Sequence, residues 1–274
     1  MPKSFIRYSQ VFLLSLSLGV VAIQSACAIE FDTSTGEEDV VFMSTDGEVN
    51  LGDSISRSVK KRFKSVKDEA IQNKINEIGQ RIASVCDRKD IIYHFEVIED
   101  DKADKPILNA FALPGGYVYI FKDLYDKLNN DDELAAVIAH EVGHIVARHS
   151  VKRMQSAFGY NILMVLASQT QTDGRNVGRA YDAINSLMSY YSRDDEIFAD
   201  KLSVKYTKSA GYDPKGVIEV LGKLWEFQKK EPLRPYVGDR SHPYFSIRLA
   251  RAKQEIYGKM DFVDYINVPA KPRR

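Results

Sequence analysis

From Leu51 onward apolar residues recur at helical spacing. Ile55, Val59 and Phe63 fall on one face of a first helix, and Ile71, Ile75, Ile78, Ile82 and Val85 form a second amphipathic stripe. The period then changes. Ile91-Ile92-Tyr93-His94-Phe95-Glu96-Val97-Ile98 is dense in β-branched and aromatic residues and predicts a strand. Between Asn109 and Phe121, Pro114-Gly115-Gly116 interrupts two apolar runs and predicts strand, turn, strand. Helical pattern returns at Asp131, with positions 134, 138, 142 and 145 making one apolar stripe. Asp131, Asp132 and Glu133 open that segment, where a helix dipole favours acidic residues, and Arg148 and His149 sit toward its end.

Another helix is expected from Val151 to about Ser168, then an exposed loop over 169–177 carrying Thr172-Asp173-Gly174. Helical pattern resumes near Arg179 and continues, with a break around Arg193, through Tyr206. Gly211 and Pro214 stop that helix and start the next. Pro232 to Tyr244 reads as irregular, and a last helix runs from about Phe245 to Tyr257. The element pattern predicts an α+β fold, mostly helical, with a small β-sheet.

The first residues follow a different plan. Lys3 and Arg7 precede an apolar run of 13 residues from Val11 to Ile23, followed by Ser25, Ala26, Cys27 and Ala28. This is the order of a secretory signal, and the run falls short of the roughly 20 residues needed to span a bilayer. The expectation is a signal peptide over 1–28, cleaved after Ala28, and hence a periplasmic protein without an integral span. A second option is a lipidated Cys27, which would give outer-membrane association, although Gln24 stands where such signals carry Leu. Residues 29–48 are polar and aperiodic and read as a flexible leading segment, 49–260 as one domain, and 261–274 as a tail.

Composition narrows the partners. A formal net charge of zero gives no nucleic-acid footprint, and removing Lys3 and Arg7 with the signal leaves 36 basic against 38 acidic residues. Cys86 would then be the one cysteine left, so no internal disulfide is expected, and its place in a helical pattern suggests packing.

The chemistry concentrates in His140-Glu141-Val142-Gly143-His144. Imidazoles four residues apart project from the same helical face and can hold one metal ion, and a glutamate between them can act on water. This is the pattern of a zinc peptidase. Such a site needs a third protein ligand. His149 lies nine residues past His140, on the opposite face of a continuing helix, and is expected to cap or pack; His94 on the strand is expected to be structural. The remaining source is Ser192-Arg193-Asp194-Asp195-Glu196-Ile197-Phe198-Ala199-Asp200, where Glu196 and Asp200 are i,i+4 neighbours. One carboxylate could ligate while another accepts the far N–H of a ligand histidine; by spacing alone Glu196, Asp195 and Asp200 all remain candidates.

Taken together, the two motifs resemble the HtpX/BepA/LoiP group of gluzincin metallopeptidases, to which the prenyl-protein CAAX proteases also belong. The resemblance runs from about Glu48 to Arg251 and includes the Asn-Ala-Phe-Ala-x-Pro-Gly-Gly signature at 109–116. It implies a zincin-like domain in which the edge strand of the sheet borders the active-site cleft. It also implies one Zn2+ held by His140, His144 and Glu196, with Asp200 orienting His140 and Glu141 as general base. By the same resemblance Asn109, Ala110, Phe111 and Ala112 contact substrate backbone. Relatives carry a His-Pro with a downstream Arg near the zinc, matched here by Ser241-His242-Pro243 and Arg248. That match implies that His242 either occupies the fourth zinc position in a latent state or, with Tyr244 and Arg248 as the other candidates, stabilises the oxyanion.

The function expected is a zinc metalloendopeptidase of the bacterial envelope, acting on unfolded or misassembled proteins in quality control. A chaperone-like assembly factor with a largely latent metal site is the competing expectation.

Overall fold

A computed structural model describes residues 41, 43–158, 191–230 and 244–259. The expected signal segment 1–28, the helix beyond residue 158, the 169–177 loop, the helix start near Arg179, the segment 232–243 and the tail 261–274 lie outside the described residues.

Helix α1 spans Thr45–Arg62 and buries Leu51, Ile55 and Val59 on the expected face. It begins six residues before the apolar repeat. Ser44 caps it, accepting from the Gly47 N–H at 3.2 Å. Residues 45–48 therefore form the first turn rather than the end of a loose segment. Their anchor is a charge, which apolar periodicity does not register. The buried Glu48 carboxylate takes a two-pronged bond from Arg88 at 2.8 and 2.9 Å and a third from Arg148 at 3.1 Å.

Strand β1 (Lys64–Ser65), helix α2 (Glu69–Val85) and strand β2 (His94–Glu99) follow. β2 begins three residues later than the pattern suggested, and Ile92 is exposed. β3 (Ala110–Leu113), a turn of 3-10 helix at Pro114–Gly116 and β4 (Tyr117–Phe121) form the expected hairpin. Gly116 has φ +102°, and a Cβ there would lie 2.2 Å from the Ile92 carbonyl oxygen, so the turn admits only glycine.

The sheet order is β1-β2-β4-β3, with β2 parallel to β4 and the other pairs antiparallel. Both faces are covered, which explains the unbroken apolar runs. Ala110, Ala112, Val118, Ile120, Phe95 and Val97 face α2 and the metal-motif helix, while Phe111, Leu113, Tyr119 and Phe121 pack with Leu51, Ile55 and Val59 of α1.

After short helix α3 (Lys122–Tyr125), helix α4 (Asp131–Val146) carries the metal motif. Asn130 caps it, accepting from the Glu133 N–H at 2.9 Å, and it is buried from Glu133 to Ile145. It then stops. Ala147 closes the helix and Arg148 turns with φ +53°, so α5 (His149–Phe158) leaves in a new direction. α6 (Arg193–Ser209) opens on a capping box between Ser192 and Asp195, at the expected break. α7 (Lys215–Lys230) and α8 (Phe245–Tyr257) complete the described chain. α6 lies closest to α4, and α8 packs on α6 and α7. Among the described residues no helix is long and apolar enough to cross a membrane.

Candidate metal centre

Helix α4 presents His140, Glu141 and His144, all buried. What brings a third donor to them is a close helix crossing. A Cβ on Gly143 would lie 3.1 Å from the Ala199 carbonyl oxygen and 3.3 Å from Ala199 Cα, so the two small residues let the α4 and α6 backbones nearly touch. Glu196 and Asp200 flank Ala199 on α6 and are carried into the same pocket, 0 % and 2 % exposed.

The donors converge. His140 Nε2 and His144 Nε2 are 3.1 Å apart, Glu196 Oε2 is 3.6 Å from the first and Glu196 Oε1 is 3.5 Å from the second. Among the described residues these three side chains form the one group whose ligand atoms could share a metal ion. Ligand atoms around a tetrahedral ion at about 2.0–2.1 Å lie on the order of 3.3 Å from one another, so the observed spacing suits zinc. Formal charge agrees. Glu141, Glu196 and Asp200 are buried with Arg248 as the one buried cation among them, leaving a formal deficit that a divalent cation would fill. Burial pushes the His144 imidazole well below its usual range, partly opposed by Glu196, and a neutral ring is the form that ligates metal.

Behind the donors stands a ring of fixed groups. His140 Nδ1 is 2.9 Å from Asp200 Oδ1. Burial works against the Asp200 carboxylate, but Arg248 and His140 hold it below the usual range. Arg248, 2 % exposed on α8, donates through Nε and Nη2 to the two Asp200 oxygens at 2.7 Å each, and its Nη1 is 2.6 Å from Glu196 Oε2. Asp195, a candidate ligand by spacing, lies outside the donor group in the capping box of α6. His149 is buried, yet it is not on the far face of α4. Because the chain turns at Arg148, its Nδ1 comes to 2.8 Å from His144 Nδ1. Tyr191 stacks on the His144 ring at 4.0 Å and 17°. His94 sits away from this group, exposed and stacked on Tyr117.

β3 ends the sheet among the described residues and packs on α4. Asn109, Ala110, Phe111 and Ala112 are all buried. The Asn109 carbonyl accepts from the Phe121 N–H at 3.0 Å. Antiparallel alternation therefore turns the Phe111 backbone groups toward β4 as well, and those of Ala110 and Ala112 outward. The Ala112 carbonyl already accepts from Ser150 Oγ at 3.0 Å, and Ser150 in turn meets Tyr191 Oη at 3.0 Å. Tyr244 precedes α8 with φ +68° and is half exposed, whereas His242 lies outside the described residues. Cys86 packs in the core, its thiol 3.2 Å from the Arg88 carbonyl oxygen.

The family profile described as "Peptidase family M48" matches residues 69–256, which takes in every one of these elements except α1 and β1. The chain belongs to peptidase family M48. M48 metalloproteases are zinc-dependent, and the two-histidine, one-glutamate cluster is the donor set such a site requires. The chain is 26 % identical over 252 residues to the "Beta-barrel assembly-enhancing protease" of Escherichia coli (strain K12), covering 88 % of this chain and 50 % of that protein. It is 32 % identical over 174 residues to the "Mitochondrial metalloendopeptidase OMA1" of Saccharomyces cerevisiae, covering 61 % and 47 %. The OMA1 protein of Arabidopsis thaliana is 36 % identical over 129 residues, covering 44 % and 25 %. The M48 chain thus spans about half the length, or less, of these relatives.

Three features of the site carry little sequence signal. His149 departs from the face a continuing helix would give it because the chain turns at Arg148: the basic residues there mark a helix end but not its direction, no glycine or proline occurs at 146–149, and arginine rarely adopts a positive φ. Tyr191 and Ser150 stand outside the metal motifs and meet only through tertiary packing.

Proposed function

We propose that this chain is a zinc-dependent endopeptidase of the bacterial envelope, hydrolysing peptide bonds in unfolded or misassembled proteins. The observation that carries the reading is the convergence of His140, His144 and Glu196 on one point beside a buried Glu141. Those three residues would hold one Zn2+ per chain. Zinc at such a site supplies Lewis acidity toward the scissile carbonyl and lowers the pKa of water.

The chain's own groups do the rest. Glu141 takes the proton of the attacking water and returns it to the departing amine. Asp200 accepts from His140 Nδ1–H, which leaves the Nε2 lone pair facing the donor cluster. Arg248 donates to Asp200, pairs with Glu196 and has Nη2 3.5 Å from His140 Nε2, so it holds these carboxylates in place, with His242 and Tyr244 as the other candidates for the oxyanion. The outward N–H and C=O of Ala110 and the N–H of Ala112 offer an extended substrate a strand to pair with, main chain to main chain. Such pairing ignores side-chain identity and suits unfolded chains.

The envelope assignment rests on the signal-like residues 1–28 and on relatives named for β-barrel assembly. A lipidated Cys27 would add outer-membrane association. The peptidase domain is read as residues 49–260 extended back to Thr45, with 261–274 as a tail.

Zinc content and cleavage of an unfolded reporter such as casein, measured for wild type and Glu141→Gln, test the reading. The variant is expected to keep its zinc while losing at least 100-fold in hydrolysis, the order of a general-base contribution. Wild-type rates in that variant would remove Glu141 as the base. No cleavage by zinc-loaded wild type would favour the chaperone-like alternative.

A further inference from the structure

Both metal-motif histidines need their second ring nitrogen satisfied, because both rings are buried. For His140 the partner is the Asp200 carboxylate. For His144, Nδ1 lies 2.8 Å from Nδ1 of His149, and His149 Nε2 lies 3.3 Å from Asp195 Oδ1. A carboxylate thus stands behind each ligand ring, directly for one and through an intervening imidazole for the other.

We propose that His149 and Asp195 form a relay that positions His144 for the metal. The direction of its bonds follows from donor and acceptor bookkeeping. If His144 offers its Nε2 lone pair to zinc, its Nδ1 carries the proton and must donate. His149 Nδ1 is the acceptor, so the His149 proton sits on Nε2 and donates to Asp195. A neutral imidazole accepts at one nitrogen and donates at the other, which is what the two contacts of His149 require. The anion at the outer end pulls both protons outward and raises the basicity of His144 Nε2.

The rings are held from their faces too. Tyr191 stacks on His144 at 4.0 Å, and Phe198 meets the His149 ring edge-on at 6.1 Å. Asp195 is fixed from the other side, its Oδ2 accepting from the Ser192 N–H at 3.1 Å while the Ser192 hydroxyl accepts from the Asp195 N–H at 3.1 Å. One carboxylate therefore caps α6 and terminates the relay, tying the helix that brings Glu196 to the ring on α4.

This inference rests on the zinc-site reading, and zinc affinity, read by competition with a chromophoric chelator on the full chain, separates the two. His149→Phe keeps a ring but accepts nothing, and is expected to weaken zinc binding 10–100-fold, the usual effect of losing such a partner. His149→Asn, whose oxygen can still accept from His144, should fall between it and wild type. Asp195→Asn should weaken binding, whereas Ser192→Ala, which breaks the helix cap but not the relay, should not. A circular dichroism spectrum shows which variants fold, and His149→Asn and Asp195→Asn carry the test if His149→Phe does not. Folded His149→Phe within twofold of wild type would overturn the relay while leaving the metal site intact. Equal effects of Asp195→Asn and Ser192→Ala would assign Asp195 to the cap alone. A wild-type chain that takes up no zinc would overturn the site and the relay together.

Discussion

Arg248, singled out by its place in the sequence, is held among carboxylates in the structure. Its spacing after His242-Pro243 marks it as part of the site, and it is there, its guanidinium bound to the Asp200 and Glu196 carboxylates with Nη2 also 3.5 Å from His140 Nε2. A planar fork with donors along two edges can satisfy Asp200 with one edge and Glu196 with its remaining nitrogen, which a lysine ammonium cannot do. Removing it leaves buried carboxylates without their cation, a change that costs about 3–5 kcal/mol. Arg248→Ala is therefore expected to lower stability by about that amount, measured by urea unfolding of the metal-free protein, and Arg248→Lys to recover only part of it. A loss in Arg248→Ala below about 1 kcal/mol would place the guanidinium at the exposed-pair end of the range and contradict this role.

Helices and strands were readable where an apolar stripe defines them, as in α2, α4 and α8, and less so where a cap or a charge sets the end. Neither the start of α1 at a capping Ser44 nor the stop of α4 at Arg148 shows in the hydrophobic pattern, and β1, two exposed residues, has no pattern at all. The crossing of α4 over α6 belongs to this scale. Gly143 looks like a weakness in a helix, costing about 0.8–1.0 kcal/mol relative to Ala in propensity. The structure gives it a reason, since any Cβ there meets the Ala199 backbone. Gly143→Ala should push α6 outward by a few tenths of an ångström and weaken zinc binding, with Gly143→Val weakening it further. Tighter helix packing with unchanged zinc affinity and a raised melting temperature in Gly143→Ala would mean that propensity decides and the crossing is slack.

Across the whole molecule, the sheet and the metal site are joined by buried charge. Glu48 on α1 accepts from the Gly115 N–H at 3.1 Å as well as from Arg88 and Arg148, and Arg88 also donates to the Ile145 carbonyl at 3.2 Å, at the end of α4. The turn that shapes the β3 edge and the turn that aims His149 are thus tied to one carboxylate. None of this is visible in a linear pattern, because its partners are 40 and more residues apart. The His140, His144 and Glu196 cluster was legible for the opposite reason: helical spacing alone places His140 with His144 and Glu196 with Asp200, and a family resemblance ordered the acidic candidates. The most direct test of that triad is metal analysis of the purified chain combined with zinc K-edge absorption spectroscopy. The account predicts one zinc per chain with nitrogen and oxygen donors at about 2.0–2.2 Å, two of them imidazoles, and loss of that signal in Glu196→Ala. Substoichiometric metal in wild type, or an unchanged spectrum in Glu196→Ala, would contradict it.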